Sequence, residues 1–283
     1  MYRLGINFDE LSDELDTSLE VLRKEGVKHG EIRTINKINF VNWSDDFSSE
    51  VKGKTRNSGI AIVGAASPLF KWYSRPDEQR VAHDNFGFDF ESADKQQTIE
   101  RALAVCHFLN IPVVRIFSGL GYEDDAGNNF SKNKFLRKAL SLADRYSMDL
   151  AIENEPPCKV HTKKDLINLF NNSEAASLKL WLDVANMYLI AEDIDDALLK
   201  KVGPRVKYVH IKNFVMKNGK PNFVAIDSGD IDYTKVLEKI FQYCPDDLSI
   251  TIETHAKENK AEASIKALTE VRKILDKLRV NYE

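Results

Sequence analysis

The sequence predicts an α/β fold, a single (β/α)8 barrel with parallel strands, spanning residues 1–283 as one domain. Three observations predict it. Eight short apolar runs alternate with longer segments at helical spacing, which implies parallel strands joined by crossover helices. A barrel of this type needs roughly 250 residues, and the chain has 283. The turn after the first run, Asn7-Phe8-Asp9-Glu10, holds no glycine, whereas an open doubly wound sheet usually has a glycine-rich turn there.

The runs follow in order. Leu4-Gly5-Ile6-Asn7-Phe8 reads as the first strand, with Leu15, Leu19 and Leu22 at helical spacing behind it. Gly30 to Thr34 is the second strand and Gly59 to Gly64 the third. Val113 to Phe117 is the fourth, preceded by a helix carrying Ile99, Leu103 and Cys106. Leu150 to Glu153, Leu178 to Asp183, Val206 to Ile211 and Leu248 to Glu253 are the fifth to eighth. Ile265, Leu268, Val271, Leu275 and Leu278 mark one face of a last helix. The segment 69–91 is long for a barrel loop and rich in aromatics: Phe70, Trp72, Tyr73, Phe86, Phe88 and Phe90. It reads as a lid that places Trp72 or Phe70 in the pocket, or else as an excursion packed on the barrel.

Composition narrows the function. Hydrophobic residues make up 43% and charged residues 30%, the balance of a soluble globular chain. A net charge of -4 gives no general attraction to nucleic acid or to an anionic membrane. No run approaches the ~20 apolar residues of a membrane helix, and no signal peptide is read at the N-terminus. Cys106, Cys158 and Cys244 are far apart and form no CxxC pair, which fits free thiols in a reducing cytoplasm.

The chemistry sits at strand ends, because in such barrels the active site lies at the C-terminal mouth. There the sequence places Glu153, Asp183, His210 and Glu253, each closing an apolar run on four successive strands. Burying a carboxylate costs several kcal/mol without compensation. Three carboxylates and an imidazole on one rim therefore predict one divalent metal ion; that donor set suits Mn, Mg, Co or Zn. His255, two residues beyond Glu253, is placed to face the same cavity, and Arg115 and Glu155 lie near the mouth by register.

These pieces carry a resemblance. Ala151-Ile152-Glu153-Asn154, Leu182-Asp183-Val184-Ala185-Asn186, Val209-His210-Ile211-Lys212-Asn213 and Ser249-Ile250-Thr251-Ile252-Glu253 resemble the strand-end motifs of the xylose isomerase-like TIM barrel superfamily. Glu31-Ile32-Arg33 resembles its second-strand motif, and Gly229-Asp230-Ile231-Asp232 the segment before its last strand. The likeness spans essentially the whole chain. It implies a metal-dependent sugar or polyol isomerase or epimerase, with Glu153 and Glu253 as ligands that also move protons and Asp183 and His210 completing the metal set. Removing a carbon-bound proton beside a carbonyl needs a base, and a metal on the carbonyl oxygen steadies the enediolate.

The chain departs from the family in places that bear on substrate. Many members carry His where Asn186 stands; Asn186 still offers a sugar hydroxyl a hydrogen bond. The His-x-Lys-Asp pattern ends here in Asn213 but keeps Lys212, which is placed to hold a substrate oxygen or a phosphate. Arg33, His255 and Trp72 complete the expected substrate contacts. The implied partner is a small sugar or polyol, with no nucleic acid and no membrane, and homo-oligomerisation is left open. The alternatives are a metal-dependent dehydratase or lyase on a polyol or keto acid, a non-catalytic binding barrel, and an apurinic endonuclease. The last requires extra histidines at strands three, four and six, where Ala66-Ser67-Pro68, Phe117-Ser118-Gly119 and Asn186 stand instead.

Overall fold

Eight strands close into a barrel in chain order: β1 (Arg3–Asn7), β2 (His29–Ile32), β3 (Ala61–Ala65), β4 (Val113–Ile116), β5 (Asp149–Glu153), β6 (Lys179–Asp183), β7 (Val206–Ile211) and β8 (Ser249–Ile252). Each pairs in parallel with its neighbours, and β8 returns to β1 with Gly5 opposite Thr251. The computed structural model describes residues 1–75, 77–84, 86–89 and 94–283; Phe90 and Glu91 of the long aromatic segment lie outside the described residues. A helix follows every strand, from Leu15–Lys24 after β1 to Lys260–Leu278 after β8. No described helix is long and apolar enough to cross a membrane.

The sequence explains the helix starts. Ser44 Oγ accepts from the Phe47 amide and Asp94 Oδ1 from the Gln97 amide, each supplying a partner for an otherwise unpaired first-turn N–H. Thr162 and Asp165 form a reciprocal capping box before Lys163–Phe170.

Strand alternation positions the site. Residues i and i+2 share a face of a strand. Val63, Val113, Ala151, Trp181 and Tyr208 pack together in the barrel lumen. Arg115, Glu153, Asp183 and His210 each stand two residues beyond one of them, so the same inward face that begins aromatic and aliphatic ends charged. Trp181 and Tyr208 stack at 3.5 Å between ring centroids. Gly64 makes room for them: a Cβ there would fall 2.5 Å from Tyr208 Cε2.

Two hairpins escape the sequence reading. Thr34–Ile35 pairs with Ile38–Asn39, and Asn213–Lys217 with Lys220–Val224. The second turns through Asn218 and Gly219, both at positive φ. Asn-Gly between strand-like runs is the signal that identifies such a turn.

Candidate metal centre and active site

All four strand-end residues point to the same mouth and are buried. Glu153 and Asp183 close β5 and β6, His210 lies one residue before the end of β7, and Glu253 follows β8. Register sets His210 beside Asp183 on one side and Thr251 on the other. His210 Nδ1 is 3.3 Å from Glu253 Oε2, 3.5 Å from Glu153 Oε1 and 3.8 Å from Asp183 Oδ2. Ligand atoms of Glu153, Asp183 and His210 lie within 4.8 Å of one another. Glu253 meets the same nitrogen, while its other oxygen is drawn to Arg33 at 2.5 Å.

The donor set fits a divalent cation. His210 Nδ1 has no hydrogen-bond partner although it is buried, and buried polar atoms are ordinarily satisfied. The ring's other nitrogen, Nε2, lies 2.8 Å from Glu31 Oε2. Glu31 is itself fully buried and accepts from Asn7 Nδ2 at 3.0 Å. A carboxylate behind the far nitrogen of a ligand histidine fixes its orientation. Asp183 is steadied too. Its Oδ1 accepts from the Asn186 amide, and its backbone is bracketed by Asn154, which accepts from Asp183 N at 2.8 Å and donates to Asp183 O at 2.9 Å.

The protein supplies more of its own countercharge than the sequence suggests. Arg115 lies 3.0 Å from Glu153 Oε2. Lys212 lies 2.6 Å from Asp183 Oδ2 and 2.9 Å from Glu253 Oε2. Arg33, expected among the substrate contacts, instead grips Asp9 through two nitrogens at 2.9 and 2.8 Å and reaches Glu253. The pKa directions follow. Burial works against the charge on Glu153, but Arg115 and His210 hold its carboxyl below the usual range. Burial opposes the charge on Asp183, which Lys212 and His210 hold low. Glu253 is held well below the usual carboxylate range, against burial, by Lys212, His255, His210 and Arg33. Burial disfavours the imidazolium of His210, yet Glu31 and Glu253 raise its pKa well above the ordinary histidine value.

Other expected contacts fall as follows. His255 faces the cavity with a positive φ of 55°; its Nε2 is 3.0 Å from Glu253 Oε2, and its ring stacks on Phe223 of the second hairpin. Asn186 is buried in the first turn of the short helix Val184–Leu189 beside Asp183. Trp72 takes a different place from the expected one. It is 6% exposed and packs against Phe70, which in turn contacts Phe130. Backbone bonds from Phe117 N to Leu69 O and from Leu120 N to Trp72 O pin this stretch along the end of β4. Lys71, between the two aromatics, is the residue that reaches the mouth, 2.8 Å from Glu155. From farther along the segment, the Phe86 ring covers Lys71 Nζ at 4.2 Å, Arg33 Cζ at 5.1 Å and Arg115 Cζ at 5.3 Å.

Glu31, Lys71 and Phe86 are among the residues that sequence reasoning did not assign to the site. The signal for Glu31 was present, a carboxylate inside a strand and in line with His29. Lys71 and Phe86 lie on irregular backbone, where no periodicity applies.

A closed parallel barrel with a buried carboxylate–imidazole cluster at its C-terminal mouth defines a class of barrel proteins whose mouth could hold a metal ion. The family model for xylose isomerase-like TIM barrels matches residues 19–271, and the chain belongs to that family. Among proteins with curated descriptions, none matches the sequence. Solved structures share the fold at low identity. An IolI protein with a bound zinc atom superposes with a TM-score of 0.74 at 16% identity, covering 98% of this chain and 99% of the other. An L-ribulose 3-epimerase gives 0.72 at 15%, covering 99% and 96%. The probable 3-DHS dehydratase AsbF from Bacillus anthracis gives 0.69 at 14%, covering 95% and 99%.

Proposed function

We propose that the protein is a metal-dependent isomerase or epimerase acting on a sugar or polyol by proton transfer next to a carbonyl. The observation that carries this reading is the convergence of Glu153, Asp183 and Glu253 on the unpartnered Nδ1 of His210. Glu153, Asp183, His210 and Glu253 would hold the ion. When bound, a divalent cation polarises a carbonyl and stabilises the enediolate formed from it. Glu153 and Glu253 reach the centre from non-adjacent strands, β5 and the end of β8. Both are kept ionised by their cationic neighbours, as a base must be before it accepts a proton. One would take the carbon-bound proton and later release it to water, while the other, protonated from solvent, would deliver a proton to the carbon.

Arg115 and Arg33 orient these two carboxylates through the oxygens that face away from His210. Asn186, His255 and Lys212 surround the cavity as candidate contacts for substrate hydroxyls. Arg33, Arg115, Lys71 and Lys212 are all engaged by carboxylates, which favours an uncharged polyhydroxyl substrate over a phosphorylated one. The aromatic face of Phe86 would close the site over such a substrate and exclude water.

The test is a panel of ketoses, aldoses and cyclic polyol ketones incubated with the manganese- or zinc-loaded protein in D2O. A substrate should gain one deuterium at the carbon beside its carbonyl, and chelation should abolish the exchange. A product lighter by one water would assign the dehydratase reading instead. Absence of both across the panel would sink the enzymatic proposal.

A further inference from the structure

Three cations touch the carboxylates of the centre, and they do so in two different ways. Arg115 takes Glu153 Oε2 and leaves Oε1 facing His210; Arg33 takes Glu253 Oε1 and leaves Oε2 facing His210. Both arginines therefore hold outer oxygens. Lys212 is different. Its ammonium binds Asp183 Oδ2 and Glu253 Oε2, the same two atoms that look toward His210 Nδ1. The lysine side chain is 5% exposed. A divalent ion gathering those oxygens with the imidazole would stand within a few ångströms of the ammonium, and two cations cannot share that space without strong repulsion in a desolvated site.

We infer that Lys212 is an internal placeholder for the metal. Its ammonium holds Asp183 and Glu253 in the metal-free protein, is displaced when the ion enters, and then turns toward the substrate side of the mouth. The structure gives the direction of escape: Lys212 Nζ already lies 3.3 Å from Nε2 of His255, whose side chain is 36% exposed. Lysine suits the task because it is a point charge on a flexible four-carbon stem, whereas the planar guanidinium forks of Arg33 and Arg115 stay in place. The device keeps mutually repelling carboxylates assembled before metal arrives. It lowers apparent metal affinity by the fraction of molecules in which the lysine has left. The inference rests on the metal-dependent reading above and adds the order of events.

The experiment titrates the metal-free full-length protein with Mn2+ and with Zn2+ by calorimetry. Trp181 fluorescence is a second readout, since its ring lies 5.0 Å from that of His210. Lys212→Met should bind tighter than wild type by roughly tenfold or more, the size expected if the lysine leaves in about one molecule in ten. Lys71→Met removes an equal charge at the mouth but touches Glu155 rather than a ligand, so it should change affinity by less than about threefold and controls for the general field. A second measurement needs no variant: reductive methylation of wild type, quantified by peptide mass spectrometry, should label Lys212 faster in the metal-loaded protein. Equal affinities for Lys212→Met and Lys71→Met, or an unchanged labelling rate at Lys212, overturn the placeholder while leaving the metal centre standing. Failure of wild type to bind either ion removes both readings.

Discussion

His210 Nε2 lies 2.8 Å from Glu31 Oε2 while its Nδ1 faces Glu153, Asp183 and Glu253, so one imidazole is held from behind and presented in front. Glu31 in turn is tied to Asn7 of the neighbouring strand. Such outer contacts set how well a ligand is aimed, and their loss typically costs 10–100-fold in metal affinity or activity. Glu31→Gln is isosteric but uncharged and should weaken Mn2+ or Zn2+ binding by about tenfold. Glu31→Ala should weaken it further. Calorimetric titration checks both, and unchanged affinity in Glu31→Ala would show that the ring needs no support.

The two glutamates are distinguished from Asp183 by rescue. Glu153→Gln and Glu253→Gln keep an oxygen that can touch an ion but lose the basic carboxylate. Each should lower turnover by ~10²–10⁴-fold even at saturating metal, with far-ultraviolet circular dichroism unchanged. Asp183→Asn should mainly weaken metal binding, and excess metal should restore part of its rate. Full restoration of either glutamine variant by metal would make that glutamate a ligand only, and Glu155 or His255 would be the next base to test.

Phe86 gives a third expectation. Its ring covers Lys71, Arg33 and Arg115, and a cation–π contact is worth about 0.5–2 kcal/mol. Phe86→Ala should raise KM several-fold and leave metal affinity within about twofold, because the ring touches the partners of the carboxylates rather than the ligands. Steady-state kinetics with the first substrate found checks this, and an unchanged KM would place Phe86 outside the substrate's reach.

The eight strands and the residues at their mouth were legible for one physical reason. A strand buried on both faces reads as a continuous apolar run, so Glu153, Asp183 and His210 stand out as interruptions that must have a partner. What the run does not encode is which partner. Arg33 meets Asp9 and Glu253, 24 and 220 positions away, and only the closed ring brings those three together. The requirement for countercharge was therefore readable, but its division between metal and protein cations was not. Density of aromatics likewise does not say which of Phe70, Trp72 and Phe86 faces the mouth of the barrel. The hairpin at Asn218-Gly219 was readable from its turn chemistry.

Gly64 tests the barrel beneath the site. Its missing side chain accommodates Tyr208, which stacks on Trp181 and accepts a hydrogen bond from Thr251 at 2.7 Å. Gly64→Ala forces that ring to shift in a packed lumen, and overpacking of this kind typically costs 1–3 kcal/mol. The variant should melt several degrees lower, with altered Trp181 fluorescence. A melting temperature equal to wild type would show that the lumen has slack.

Acid should loosen the metal-free protein through its centre. Glu153, Asp183 and Glu253 all have folded-state pKa values below their ordinary ones, despite burial, because Arg115, Lys212 and His210 favour their charged forms. A group depressed in the folded state binds fewer protons folded than unfolded. Its contribution to stability is therefore complete above the unfolded value, near 3.9 for Asp and 4.3 for Glu, and is lost as pH falls from there through the folded value. Glu155 has the opposite sign. Burial raises its pKa against the pull of Lys71, so it destabilises the folded state above its unfolded value, and that penalty is relieved as pH falls through the raised value toward the ordinary one. The three depressed groups outnumber it, so melting temperature should fall steeply below about pH 4.5. Glu253→Gln has no carboxyl to protonate at that position and should show a shallower acid dependence from a lower plateau at neutral pH. Melting curves of wild type and Glu253→Gln between pH 7 and pH 3 provide the check. Parallel acid profiles in the two proteins would mean that Glu253 is not held ionised by its neighbours in the metal-free state.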